Sequence, residues 1–319
     1  MAAEAVSQNE GPPAWAYGTK LAPTSESAAK TVHQSAEATP DNGLKHLPGS
    51  PLEFTHAQIN NPFGPADWFP QDHPKMPAIV ADGQKPEIWA CSLCHYPNGK
   101  GRPENAGVSG LPVSYFIEQM NEFRKGNRVS ADSGKKNTAR MASFAKAMTD
   151  EQIKEAADYF GAMKWTPWIK VVETATVPKN HLSVGMYLPL ANAGTEPLGH
   201  RIIEMPVDAE ATEGLRNPRS GFIAYAPIGS IAQGKKLVAG GAGKTIPCAD
   251  CHGAHLLGLG PVPGIAGRSP SYLVRQLYDM QQGTRKGTWT ELMQPVVARL
   301  SQTDMLNIAA YTASLDVKQ

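Results

Sequence analysis

The chain has 319 residues, with 30 Lys+Arg against 29 Asp+Glu and a formal net charge of +1, so bulk charge gives no attraction to nucleic acid or an anionic membrane. Its length allows two domains with an additional segment, and no run approaches the roughly 18 consecutive apolar residues of a membrane span. With 30 Gly, 27 Pro and only 7% aromatic residues, it reads as much loop and short helices wrapped around something other than their own side chains.

Residues 1–76 read as an extended arm. Gly11-Pro12-Pro13, Asn61-Pro62-Phe63-Gly64-Pro65 and Gln71-Asp72-His73-Pro74 are turn signals, and nothing between them sustains helical periodicity. The polar stretch from Ser25 to Asn42 reads as a flexible linker. Phe54, Phe63, Trp68 and Phe69 are expected to pack the latter part of the arm on a folded domain, without a chemical role.

A first domain is expected over 77–164. A short helix with Ile79 and Val80 leads into Cys91-Ser-Leu-Cys94-His95, followed by a loop rich in Gly, Pro and Asn. Ser114 to Phe123 reads as an amphipathic helix, with Tyr115, Ile117, Met120 and Phe123 broadly on one face. Thr149-Asp-Glu-Gln152 fits a capping box, and the helix it opens places Ile153, Ala156, Ala157 and Phe160 on one stripe. Over 165–229 the texture changes. Ile169 to Val177, His200 to Ile203 and Gly221 to Tyr225 are rich in β-branched and aromatic residues and bounded by turns, which predicts a small connector containing strands.

Residues 230–319 then repeat the first domain. Cys248-Ala-Asp-Cys251-His252 lies 157 residues after the first Cys-x-x-Cys-His, and Tyr115/Tyr272, Gln119/Gln276, Gly126/Gly283 and Arg128/Arg285 share that offset. Tyr159 and Tyr311 are 152 apart, so one loop of the second copy is five residues shorter. Ser301-Gln-Thr-Asp304 takes the place of the first copy's cap.

Cys-x-x-Cys-His is the attachment pattern of c-type haem. Two thiols at this spacing each form a thioether to one vinyl edge of the porphyrin, and the following imidazole ligates iron. Cys91, Cys94, Cys248 and Cys251 are all the cysteines of the chain, which predicts two covalently bound haem c groups with His95 and His252 as axial ligands. A zinc site with four thiolates, or a thiol redox pair, is the rival reading. It leaves the two equivalent histidines unexplained. His33, His46, His56, His73, His181, His200 and His255 lack partners at metal spacing.

The repeat also selects the sixth ligands. At the second offset Met141 pairs with Met293, whereas Met148 pairs with Leu300 and Met305 with Ile153; at the first, Met120 pairs with Leu277 and Met280 with Phe123. A thioether ligand must be methionine in both copies if both haems are His/Met, so Met141 and Met293 are chosen from eleven methionines. Thioether ligation favours ferrous iron, and an iron with both axial positions filled suits electron transfer more than oxygen or peroxide chemistry.

On these residues, each half resembles a class I cytochrome c, and the tandem resembles the dihaem cytochrome c4 type. The second half carries Cys248-x-x-Cys251-His252-Gly, Pro263-Gly-Ile265-Ala-Gly267, Tyr272-x-x-x-Gln276-Leu, Gly283-x-Arg285 and Met293-x-Pro295. The resemblance covers about 77–163 and 230–316, leaving out the arm and the connector. It implies a mainly α chain of two tandem class I cytochrome c domains, with an extended arm and a small β-containing connector. It also implies that a proline carbonyl orients each haem histidine. Pro263 supplies it in the second half; the equivalent position in the first is Ala106, and Pro103 is the candidate substitute.

Arg128 and Arg285 are candidates for haem propionates, since a guanidinium fork suits carboxylates. The basic segment from Arg124 to Arg140 reads as a solvated loop, or as a means of steering an acidic partner to the first haem. The expectation is a periplasmic electron carrier, not an enzyme, between a dehydrogenase or quinol-oxidising complex and an oxidase or other cytochrome. The alternatives are a haem subunit of a dehydrogenase and, further off, a dihaem peroxidase. Met1-Ala-Ala-Glu-Ala has no basic n-region or apolar h-region, so an export leader is expected to have been removed or replaced.

Overall fold

The computed structural model describes residues 11–19 and 43–317. The chain start, the polar stretch Ser25 to Asn42 and His33 lie outside the described residues.

Both halves build the expected helices, and local chemistry explains where they stop. In the first, Val113–Arg124, Lys136–Ala147 and Asp150–Gly161 follow the haem-motif turn Cys91–His95. The capping box holds: Thr149 Oγ1 accepts from Gln152 N at 3.2 Å, and Gln152 Oε1 accepts from Thr149 N at 3.0 Å. Ser301 and Asp304 do the same before Gln302–Ser314. Thr149→Ala is expected to lower the unfolding free energy by about 1 kcal/mol, measured by denaturant titration.

Two elements differ between the copies, each because of proline. The second half opens with an eleven-residue helix, Ser230–Gly240, where the first has only Ala78–Ala81. Pro74 and Pro77 stand in the equivalent stretch of the first copy and cannot donate to a helical ladder. Conversely, Lys136–Ala147 is one helix, but its counterpart is two short turns, Thr288–Glu291 and Gln294–Val297, with Pro295 at the start of the second. In the second half Ser230–Gly240 packs closely on Gln302–Ser314. A methyl on Gly234 would overlap the Asn307 carbonyl oxygen and lie 2.7 Å from Tyr311 Cβ.

The connector holds a three-stranded sheet. Phe222–Ala226 lies in the middle, parallel to Ile169–Glu173 and antiparallel to Ile203–Pro206. The stretch read as one strand to Val177 breaks after Glu173, and Thr176–Pro178 pairs instead with Thr195–Pro197. A hairpin of Asn180–Ser183 and Met186–Pro189, unread in the sequence, turns at Val184 and Gly185, both at positive φ.

The arm packs on the connector as well as on the first half. Phe54 meets Trp68 edge-on at 4.8 Å, and Trp68 Nε1 donates to the Leu215 carbonyl at 2.7 Å. Arg219 forks onto Asp72 with two 2.7 Å bonds and stacks over Phe69. Contrary to the extended reading, Ala14–Tyr17 is a helical turn with Trp15, Ala16 and Tyr17 buried in the core of the second half and connector. Tyr17 donates to Asp279 Oδ1 at 2.6 Å, and Arg275 donates to the Ala16 carbonyl at 2.6 Å.

Where the arm meets the first half, His73 is buried among acceptors. Its Nε2 faces Asp67 at 3.1 Å. Its Nδ1 lies 2.9 Å from the Pro74 carbonyl and 3.0 Å from the Tyr159 hydroxyl, whose own proton goes to the Pro97 carbonyl. Burial pulls the imidazole pKa down, but the bonds to Asp67 and Pro74 outweigh it, and the pKa is raised above the ordinary 6.5. A raised histidine contributes stability that is full below the unfolded pKa and lost as pH rises through the folded one. The destabilisation caused by His73→Gln is therefore expected to be larger at pH 6 than at pH 8.5. Equal losses in denaturant titrations at the two pH values would contradict this.

Candidate haem sites

Each Cys-x-x-Cys-His forms a single helical turn facing a cavity, and in each the histidine is fixed in the same way. His95 Nδ1 lies 2.8 Å from the Ala106 carbonyl, and His252 Nδ1 lies 2.8 Å from the Pro263 carbonyl. A carbonyl only accepts, so Nδ1 carries the proton and Nε2 keeps its lone pair for a metal. Burial lowers both imidazole pKa values against these bonds, which favours the neutral ring. The Pro103 substitution does not occur: Ala106 serves at its equivalent position, because the acceptor is backbone and needs no proline. Pro103 instead accepts from Arg275 at 2.8 Å.

The cavities take up about 1390 Å³ and 1600 Å³ including their mouths, with mainly apolar walls. Cys91, Cys94 and His95 line the first, and Cys248, Cys251 and His252 the second. None of the four cysteines is in a disulfide, and burial pushes the thiol pKa of Cys91 to about 12 and of Cys248 to about 11. Met141 lines the first cavity and Met293 the second, both partly buried. Met120 and Met148 also line the first and Met280 the second, so the walls alone admit more than one thioether. Only Met141 and Met293 hold equivalent positions.

The two cavities share a wall of Leu111, Tyr115, Gln119, Tyr272, Gln276 and Arg285. Arg128 and Arg285 pair as an antiparallel bridge, and both guanidinium groups donate to Gln276 Oε1 at 2.9 Å. Arg285 also donates to Tyr115 and Gln119 at 2.9 Å each. These arginines are not solvated loop residues. The residues that repeated at one offset meet here, as expected when a duplicated patch packs against its own copy.

The wall of the second cavity also contains a residue the sequence reading missed. Arg268 is buried and donates to the Gly107 and Ser109 carbonyls, tying the halves together. It has no arginine counterpart in the first half, so the repeat gave no signal for it. Burial and the like charge of Arg285 lower the Arg128 pKa, and Arg285 Nε is buried without a partner among the described residues. Buried cations and an orphaned donor at two apolar cavities fit a group that brings carboxylates. Together with two unbridged cysteines, a metal-ready imidazole and methionine in each cavity, they fit haem c.

No family model matches the chain. A cytochrome c-552 of Acidithiobacillus ferridurans is 35% identical over 228 residues, 70% of this chain and 73% of that protein. A thiosulfate dehydrogenase electron acceptor of Thiomonas intermedia is 26% identical over 234 residues, 72% of this chain and 80% of that protein. Reduced cytochrome c4 from Pseudomonas stutzeri has a crystal structure matching at a TM-score of 0.46, with 20% identity, covering 70% of this chain and 93% of that one.

Fold and sites define a tandem of two class I cytochrome c units. The chain belongs to the dihaem cytochrome c4-like family. It carries two covalently bound haem c groups and transfers electrons. Among the described residues no helix is long and apolar enough to cross a membrane.

Proposed function

We propose that this chain is a periplasmic one-electron shuttle in which His95/Met141 and His252/Met293 are the axial pairs. Cys91 and Cys94 form the thioethers in the first site, and Cys248 and Cys251 those in the second. The observation that carries this is the repeated histidine: the same tautomer, held by a carbonyl eleven residues downstream in both halves, beside two thiols and an equivalent methionine. Bound haem supplies a one-electron iron couple. The Ala106 and Pro263 carbonyls fix the imidazole planes, the apolar walls exclude water, and Arg128 and Arg285 hold propionates at the shared wall. Because Arg285 lines both cavities, electrons pass between the two sites across that wall.

The partner is a dehydrogenase on one side and an oxidase or another cytochrome on the other. A role as the haem subunit of a dehydrogenase is favoured by one observation, the likeness to proteins named as thiosulfate dehydrogenase electron acceptors. Co-purification with a larger catalytic subunit separates the two. Electron paramagnetic resonance of the oxidised protein tests the coordination. Two low-spin ferric centres are expected, and a high-spin signal amounting to one iron would sink the proposal.

A further inference from the structure

Because the halves repeat one pattern, the rims of the two cavities can be compared position by position. In the first, Trp89, Asn137 and Arg140 line the mouth; their counterparts are Ile246, Trp289 and Leu292. Arg140 stacks over the Trp89 ring at 3.9 Å, which holds the guanidinium flat and leaves its N–H edges free for carboxylates. The second mouth is bare of charge at those places, with Ile246, Trp289 and Leu292 40%, 45% and 64% exposed.

The difference extends along the helix that bears each methionine. Lys136–Ala147 carries Lys136, Arg140 and Lys146, all exposed, and no acid. Thr288, Leu292 and Ala298 stand at those positions in the second half, where Glu291 offsets Arg299. Among the described residues no ion pair engages the three cations. The acids that line the first cavity face inward to partners within the fold. Glu104 pairs with Arg102 at 2.6 Å, and Asp279 accepts from Tyr17 and from Ala131 N. Arg140 lines the first cavity together with Cys94 and His95, which puts its charge at the edge of the first haem site.

We propose that the mouth of the first haem site, formed by Arg140 on Trp89 with Lys136 beside it, is the docking face for an acidic redox protein. The inference rests on the proposed function above, since it needs a haem edge at that mouth. Charge complementarity selects the occupant: a cationic rim with no acid of its own favours an acidic face and repels a basic one. The second mouth, lacking these cations, serves as a control within the same molecule.

The test mixes fully reduced holoprotein with an oxidised acidic blue-copper protein in a stopped-flow instrument. Ionic strength is raised from about 0.01 M to about 0.15 M, over which the Debye length falls from about 30 Å to about 8 Å. The wild-type rate is expected to fall about tenfold across that range. The double variant Lys136→Thr/Arg140→Leu, which installs the residues of the second mouth, should be about tenfold slower at low salt and nearly independent of salt. Leu292→Ala should stay within about twofold of wild type. A wild-type rate indifferent to salt, or a double variant with the wild-type rate and slope, overturns the proposal, as does an equal loss in Leu292→Ala. The haem spectrum recorded before mixing separates the two failures: absence of two low-spin haems in the wild type refutes the underlying ligand assignment instead.

Discussion

Met141→Ala and Met293→Ala are each expected to remove the sulfur-to-iron charge-transfer band of one haem and to lower one of the two reduction potentials. A thioether stabilises ferrous iron, so its loss favours the ferric state at that site alone. Axial ligation spans roughly 0.8 V across haem proteins, and a shift of about 0.1 V or more in one step is anticipated. Met148→Leu is the informative control. Met148 lines the first cavity, yet its counterpart is Leu300, and Met-to-Leu conserves volume. It should leave the band and both potentials unchanged. If either alanine variant leaves the band and both potentials as in wild type, that ligand is misassigned.

Gly234→Ala is expected to destabilise the second half by roughly 3 kcal/mol, the upper end for overpacking. The cause is a backbone contact that no rotamer relieves. The added methyl would overlap the Asn307 carbonyl where Ser230–Gly240 crosses Gln302–Ser314. Those helices close the core above the second cavity, with Leu237, Val238, Ile308 and Ala309 buried. A lower thermal midpoint should therefore come with easier loss of the haem environment in that half, followed in the Soret band. A midpoint within a degree or so of wild type would show that the helices separate at little cost.

What the sequence disclosed follows from how each feature is encoded. The haem motifs, both capping boxes and the amphipathic helix Val113–Arg124 are written in side chains at short spacing, and they were legible directly. The duplication singled out Met141 and Met293 as the candidate sixth ligands, because a ligand tolerates less substitution than a packing position. The same repeat exposed Arg128 and Arg285, though not that they would meet at one wall.

Backbone acceptors were hidden. The Ala106 carbonyl has no side-chain signature, so attention to proline pointed wrongly to Pro103. Burial of Trp15 and Tyr17 depends on Asp279, 262 residues beyond Tyr17, and no local periodicity reports such a contact. The connector hairpin was missed for a different reason. Its turn uses Val184 at positive φ, a conformation for which a β-branched residue gives no cue.

The most direct test of two closed, six-coordinate irons working as an electron carrier is the response of the fully reduced holoprotein to hydrogen peroxide under anaerobic conditions. The reduced low-spin spectrum should persist over minutes without turnover, while a one-electron acceptor reoxidises both haems at once. A rapid peroxide-induced spectral change, with catalytic peroxide consumption when a donor is supplied, would show that one iron opens and that the protein is a catalyst.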